Sequence, residues 1–313
     1  MLLKHKSPID MLKARLSEIT AVIPPGSNIV YLDYPVHGNI GDLLIFKGTE
    51  QFFKDYEINV HARYSYLNFP EKLSIPSDHI IVCHGGGNFG DIYGSHQALR
   101  EKVIAEYPRH RIVILPQTVY FQNKKKYRKA RSIFSKHEDL HIFARDSLSL
   151  YRVTGFSPHI RVMPDMAHQL WPIRPLEAKH KAKTLYLLRK DVEKKEGLHP
   201  SVKANAIDWN NLLSENEHHD IRRMRKRHKD SKGAANSAEL AQSWYNIAEK
   251  LIHKAIIAFS QHDEITTSRL HGHILACLMS KKNVLIDNSY GKNSSYYKTW
   301  TYRIGSASIK TKK

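Results

Sequence analysis

The chain has 313 residues, 41% of them hydrophobic and 25% charged, a composition that excludes wholesale disorder. Only Cys83 and Cys277 occur, which excludes a disulfide framework and a thiolate metal site, and no apolar run reaches the roughly 18–20 residues that span a bilayer. Lys and Arg number 49 against 30 Asp and Glu, a formal charge of +19 that predicts an anionic partner: nucleic acid, an acidic membrane surface or a phosphorylated substrate.

The opening, MLLKHKSPIDMLK, lacks the apolar stretch of a secretory signal, so a cytoplasmic location is expected. Ile9, Leu12, Leu16, Ile19 and Val22 then recur at helical spacing over 8–23. Ile29–Asp33 (IVYLD) reads as a short buried strand entering the glycine turn HGNIGD, and Asp42–Tyr56 as a helix. Asp78–Cys83 (DHIIVC) is a second strand, followed by GGGNFGD. Arg111–Leu115 (RIVIL) is a third, ending in PQTVY. Leu140–Ala144 (LHIFA) is a fourth and runs into a helix, RDSLSLYRVTG, with a glycine stop at Gly155. Strands separated by helices predict a parallel α/β sheet.

Residues 171–183 (WPIRPLEAKHKAK) carry two prolines and a run of charges between apolar segments, the composition of an interdomain linker. A second α/β pattern comes after it. Thr184–Leu188 is a strand, 239–260 a long helix, Glu264–Thr267 a short strand, Ser268–Met279 a helix and Asn283–Asp287 a strand. Residues 190–237 are polar and charged and show no clear period.

Two segments hold much of the positive charge. In 124–136 Lys124, Lys125, Lys126, Arg128, Lys129, Arg131 and Lys136 occur with no acid, and in 222–229 Arg222, Arg223, Arg225, Lys226, Arg227 and Lys229 cluster. Each reads either as a solvated face or as a contact with an anionic membrane or lipid-linked diphosphate. Nucleic-acid binding is a weaker reading, because Tyr127 is the only aromatic residue within the 124–129 run and 222–229 has none.

Gly85 to Gly90 matches G-x-G-x-x-G after a strand, but the next strand ends in Pro116-Gln117 and not in the acid that holds a dinucleotide's ribose. This argues against NAD or FAD. The expected role of these glycines is instead close backbone approach and exposed amides at a helix start, where an anion or sugar binds. Gly38 to Asp42 forms a second such turn. The two together predict a cleft beyond the carboxyl ends of the strands, with Asn39, Asp42, Gly86, Gly87, Asn88 and Asp91 as its candidate residues. No P-loop, H-E-x-x-H or D-x-D motif is present. His271 and His273, two apart on a helix, diverge by roughly 200° and do not share a metal.

The segment TTSRLHGH (266–273) is the most informative. A Thr or Ser cap at 268 and the stripe Leu270, Ile274, Leu278 place Arg269 and His271 in a first helical turn, where free amides already favour an anion. The loop after the next strand carries Lys292, and Arg145 ends a strand of the first half.

Taken in order, HGNIGD, HGGGNFGD, ILPQTV, FARDSLS, PDMAH, TSRLHGH and the Lys292 loop resemble the polysaccharide pyruvyl transferases over about residues 30–300. The resemblance implies an α/β fold of two Rossmann-like domains facing a central cleft, similar to GT-B glycosyltransferases. Their bounds here are 1–172, with the glycine turns on the acceptor side, and 180–313, on the donor side. It implies transfer of pyruvate from phosphoenolpyruvate to two hydroxyls of a sugar, as a cyclic ketal, on a bacterial surface polysaccharide or its lipid-linked precursor. It further implies that Arg145, Arg269, His271 and Lys292 bind the donor, with His271 and Arg269 catalytic.

The residue types suit that chemistry. Phosphoenolpyruvate carries a carboxylate and a phosphate that need fixed cations, which Arg can grip bidentately. Reaction requires protonation of the methylene carbon, for which His271 is the candidate acid, and no step demands a metal or other cofactor. Asp33, Asp42 and Asp91 are the candidate bases towards the sugar hydroxyl. A glycosyltransferase using a nucleotide sugar is the alternative within the same architecture.

Overall fold

A computed structural model of the chain describes residues 6–191, 205–233 and 237–310. It is an α/β protein with two parallel sheets. The first contains β1 (Asn28–Leu32), β2 (Asn59–Tyr64), β3 (Ile80–Cys83), β4 (Gly86–Gly90), β5 (Ile112–Tyr120), β6 (Leu140–Ala144) and β7 (His159–Val162). Its order is β2-β1-β3-β5-β6-β7, with β4 beside the later part of β5. The second sheet, β8 (Ala182–Leu187), β9 (His262–Thr267), β10 (Lys282–Ile286) and β11 (Ala307–Lys310), has the order β11-β10-β9-β8.

The helices are α1 (Pro8–Leu16), α2 (Ile40–Asp55), α3 (Gly94–Glu106), α4 (Lys124–Phe134), α5 (Ser147–Arg152), α6 (Glu215–Asp230), α7 (Ser237–Ser260), α8 (Leu270–Leu278) and α9 (Lys292–Tyr296). Local sequence sets several of their starts. Ser7 and Asp10 form a reciprocal capping box on α1, with Pro8 at its first position, and Ser214 with Glu217 does the same for α6.

The central strands of the first sheet are buried on both faces, as parallel strands covered by helices must be. On β1, Val30 and Leu32 point into the apolar layer formed with α3 and α4, while Ile29 and Tyr31 point to the layer beneath α2. That second layer continues without a break into the helices of the second sheet. Helix α7 packs on α2 and β2 as well as on β9, and Trp244 on it donates through Nε1 to the Pro35 carbonyl. The C-terminal segment also crosses back: Trp300 Nε1 donates to the Arg145 carbonyl at 2.8 Å.

Several expectations need correction. Gly86–Gly90 is not a helix-start turn; it is strand β4, which takes over the place of β3 beside β5, and α3 begins only at Gly94. Gly90 (φ +140°) lies so close to the Tyr120 carbonyl that no side chain fits there, so its glycine serves strand packing. The cap of α8 is Arg269, without a side-chain hydrogen bond; Ser268 Oγ instead accepts from the Arg189 amide, because that hydroxyl joins the ends of β8 and β9. The helical stripe over 8–23 ends its α-helix at Leu16 and continues as a 3-10 turn, Ser17–Ala21. Part of the stretch 190–237 forms α6, whereas 192–204 and 234–236 lie outside the described residues.

The first sheet reverses its winding between β1 and β3, because β2 lies on one side of β1 and β3 onward lie on the other. Loops leaving such a switch point diverge and leave a crevice at the carboxyl ends of the strands. Here the segment after β1 is the loop 33–39, and the one after β3 is His84-Gly85, which runs directly into β4.

Candidate active site

A cavity of about 360 Å³ opens at that crevice. From the first sheet its wall takes Asp33, Asn39 and Asp42 after β1, His84, Gly87 and Asn88 after β3, and Arg145 after β6. From the second it takes Arg189 after β8, Arg269 and His271 after β9, and Lys292 after β10. The carboxyl ends of both sheets therefore meet one space.

Arg145 is almost fully buried and firmly held. Its Nε donates to Thr118 Oγ1 at 2.7 Å and its Nη1 to Asp165 Oδ2 at 2.8 Å. Its Nη2 faces Gly87, where an added Cβ would stand 3.3 Å from it and 3.6 Å from Lys292 Nζ. Gly87 thus leaves room for two cations to approach one point on the cavity wall.

Asp165 is the pivot between the halves. The same Oδ2 that accepts from Arg145 lies 3.1 Å from His271 Nε2, and Oδ1 accepts from the Ala167 amide at 3.0 Å. Burial works to raise the Asp165 pKa, but His271, Arg145 and the Ala167 amide outweigh it and hold the carboxyl well below its usual range. A carboxylate only accepts hydrogen bonds, so His271 carries a proton on Nε2 towards Asp165. Nδ1 of His271 faces the first turn of α2: a Cβ added at Gly41 would come within 2.9 Å of it. His273, on the opposite side of α8, is fixed between Asn283 Oδ1 at 2.6 Å and Thr301 Oγ1 at 2.8 Å, as the divergence of the two histidines predicts.

Arg269 lines the cavity, but its fork is engaged. Nε and Nη2 bind both oxygens of Asp208 at 2.7 and 2.5 Å, and Nη1 lies 2.8 Å from Asp191. An anion bound there must share or displace these carboxylates.

Of the cleft residues expected from the glycine turns, Asn39, Asp42, Gly87 and Asn88 line the cavity. Asn39 caps α2 and donates to Asp42 Oδ2 at 2.8 Å. Asn88 Oδ1 is fixed by Arg100 at 2.7 Å and Gln117 at 3.0 Å. Gly86 is not part of the wall. Nor is Asp91: its two oxygens accept from the Gln122 and Asn123 amides, both at 2.8 Å, so it closes the loop between β5 and α4 and is no base for a ligand here.

Sequence reasoning missed Asp165, Asp208, His84 and His96. PDMAH carried Asp165 in plain sight, but nothing local marks its carboxylate as the partner of groups 20 and 106 positions away.

Comparison with known proteins bears directly on this site. The sequence profile of polysaccharide pyruvyl transferases matches residues 39–290, a span that contains Arg145, Asp165, Arg269 and His271. The chain belongs to the polysaccharide pyruvyl transferase family. It is 43% identical over 297 residues to the protein named putative pyruvyl transferase EpsO of Bacillus subtilis (strain 168), covering 94% of this chain and 92% of that one. It is 25% identical to pyruvyl transferase 1 of Schizosaccharomyces pombe, over 88% of this chain and 70% of the relative. A solved structure of a functionally uncharacterised protein from Klebsiella pneumoniae shares the fold at a TM-score of 0.63 and 18% identity, over 96% of this chain and 99% of that one. Family membership makes the chain a transferase of polysaccharide biosynthesis, and the fold agrees with the expected parallel α/β architecture. Among the described residues no helix is long and apolar enough to cross a membrane.

Proposed function

We propose that this pyruvyl transferase takes pyruvate from phosphoenolpyruvate and joins it, as a cyclic ketal, to two hydroxyls of a sugar in a bacterial surface polysaccharide or its lipid-linked precursor. The observation that carries the reading is the meeting of Arg145, Lys292 and His271 around Gly87 and Asp165 in one cavity. A small trianionic donor needs fixed positive charge in a dry, shaped site, where each charge-assisted hydrogen bond acts more strongly than in water.

In this reading Arg145 and Lys292 hold the carboxylate and phosphate. His271, oriented by Asp165, delivers a proton from Nδ1 to the methylene carbon, and C2 becomes the electrophile. One sugar hydroxyl attacks C2 and loses its proton to a base. The C2–O bond to phosphate then breaks and phosphate leaves with the bonding electrons; the second hydroxyl attacks C2 and closes the ring, and of the two hydroxyl protons released one replaces that given by His271 and the other leaves on phosphate. No cofactor takes part.

We read the two sheets as the cores of two Rossmann-like domains, 1–172 and 180–313, with the donor held by Lys292 and His271 of the second and by Arg145, which reaches it from the first. The separation of β1–β7 from β8–β11 by the irregular segment from Trp171 to Lys181 supports this. In this reading the acceptor approaches beside α6, which touches the cavity wall through Tyr66. Arg225 on that helix donates to the Val36 carbonyl at 2.8 Å and to Tyr66 Oη at 3.2 Å, while Arg222, Arg223, Lys226, Arg227 and Lys229 lie along the same helix. Together with the exposed lysines of α4, they suit peripheral contact with an anionic inner membrane surface on which a lipid-linked acceptor is carried. Nucleic acid is not an expected partner.

Calorimetry with phosphoenolpyruvate tests the donor assignment. Saturable binding is expected, weakened at least tenfold in Lys292→Ala and in His271→Ala, since a hydrogen bond to a charged group contributes about 1.5–3 kcal/mol. Thermal unfolding of each variant confirms that it is folded. Absence of binding by the folded wild-type chain at millimolar donor would sink the proposal.

A further inference from the structure

The ketal-forming reaction proposed above, on which this inference rests, takes a proton from each of two sugar hydroxyls. Of the three aspartates that the sequence offers as base, Asp91 is engaged by loop amides and Asp42 is tied to Asn39. Asp33 lines the cavity, but both of its oxygens are already engaged, Oδ1 by His96 and Oδ2 by Arg100. Its position is heavily determined. The residue directly follows β1 in the left-handed region (φ +69°), which a non-glycine residue occupies at a cost and which recurs at functional sites. Its Oδ1 lies 2.7 Å from His96 Nδ1, and its Oδ2 lies 3.5 Å from Arg100 Nη2.

His96 is on the first turn of α3 and also lines the cavity, its side chain 13% exposed. Because Asp33 is a carboxylate and only accepts, Nδ1 must carry the proton and donate it. The neutral ring then has its lone pair on Nε2. This is the arrangement by which a buried carboxylate selects the tautomer of a base and stabilises the imidazolium formed when that base takes a proton. Arg100, itself buried, supports both Asp33 and Asn88. The groups around the ring are Asp33, Arg100, His37, His84 and the rings of Tyr66 and Tyr93, at 4.5 and 6.5 Å between centroids. With Asn39, Asp42 and Asn88 also on the wall, this side of the cavity offers amides, imidazoles and carboxylates, the chemistry that suits a sugar's hydroxyls better than a second anion.

We infer that Asp33 and His96 form the base of the acceptor side: His96 is the catalytic residue that receives the hydroxyl proton, and Asp33 is its positioning residue. As the hydroxyl oxygen bonds to C2, its O–H bond breaks and an N–H bond forms at His96 Nε2. The resulting imidazolium is paired with Asp33 until the proton passes to the departing phosphate or to water.

Two measurements on the full chain test this. The first is 15N NMR of histidine-labelled protein, with the His96 signals assigned by their loss in His96→Gln. A proton on Nδ1 and a lone pair on Nε2 are expected at pH 8, and Asp33→Asn should disturb that preference. A proton on Nε2 overturns the inference whatever turnover shows. The second is phosphate release from phosphoenolpyruvate with a panel of methyl glycosides (β-galactoside, β-glucoside and N-acetyl-β-glucosaminide). His96→Gln should lower kcat at least 100-fold while phosphoenolpyruvate affinity changes less than threefold, and the fall of rate on the acid side should disappear. Asp33→Asn should lower kcat with the same affinity. If His96→Gln turns over within threefold of wild type, or loses donor affinity as much as rate, the base is elsewhere. If no glycoside is turned over, the NMR result decides. Wild-type protein that binds no phosphoenolpyruvate overturns the donor reading, while the tautomer still reports on the pair.

Discussion

Gly41→Ala probes the contact between α2 and His271, on which the acid role proposed for that histidine depends. Gly41 is the second residue of α2 and needs no unusual φ, so the backbone accepts alanine. The added methyl, however, would lie 2.9 Å from both Cβ and Nδ1 of His271 and 3.1 Å from its Cγ, closer than carbon and nitrogen atoms rest. The ring has little room to retreat. Its Nε2 is held by Asp165, which is itself held by Arg145 and by the Ala167 amide, all within a buried cluster. Overpacking of this kind costs about 1–3 kcal/mol, offset by about 0.4–1 kcal/mol from the smaller unfolded-state entropy of alanine. Net destabilisation is therefore expected to be about 1–2 kcal/mol. The effect on rate should be larger, because a misplacement of about 1 Å can cost on the order of 100-fold. Gly94→Ala is the control. That glycine opens α3 with nothing within 4 Å of an added Cβ, so neutral or slightly raised stability is expected. Thermal unfolding and the glycoside assay, run on both variants, supply the comparison. If Gly41→Ala matches wild type in stability and rate, His271 does not rest against α2 and Nδ1 is not the working nitrogen.

The charged centre gives further expectations. Asp165→Asn leaves Arg145 and His271 without their shared anion and should destabilise the chain by about 3–5 kcal/mol, read by urea unfolding. A loss under 1 kcal/mol would mean that water compensates the buried cations. Asp208→Asn should release Arg269 towards the cavity and tighten phosphoenolpyruvate several-fold by calorimetry; unchanged affinity would assign Arg269 to structure alone. Asp165, depressed in the fold, stabilises in full above the unfolded carboxyl pKa near 3.9, and that contribution is lost as pH falls from there towards its low folded value. Acid acts earlier through the histidines. Burial lowers His84, His168 and His273 to about 4. Between that value and the unfolded pKa near 6.5 the unfolded chain binds more protons, so stability declines as pH drops. At pH 5 the loss should be about 2 kcal/mol for each buried ring. Equal urea midpoints at pH 7 and pH 5 would contradict this.

Which parts of this molecule can be read from its sequence depends on where each residue is buried. IVYLD, DHIIVC, RIVIL and LHIFA stand out as apolar runs because their strands are interior and covered on both faces. NVHARY, HIRV and ASIK escape notice for the complementary reason: β2, β7 and β11 are sheet edges, half-exposed, with polar residues alternating along them. GGNFG escapes because three glycines in five residues signal a turn, and only its placement in line with β3 makes it a strand. The site divides in the same way. Arg145, Arg269 and Lys292 are legible cations because they come after legible interior strands. Asp165 comes after the edge strand β7, Asp208 lies in a polar stretch without period, and His96 lies on a helix of little amphipathic contrast. The cations of an anion site announce themselves at the ends of core strands, whereas the carboxylates that orient them arrive from edges and loops. Asp33 crosses both categories: it follows a core strand and looks like a base, but its carboxylate is buried and paired with His96, which is the more accessible of the two. The sequence offers a candidate carboxylate there and cannot say what it is paired with, since its partner lies on a helix more than sixty residues away.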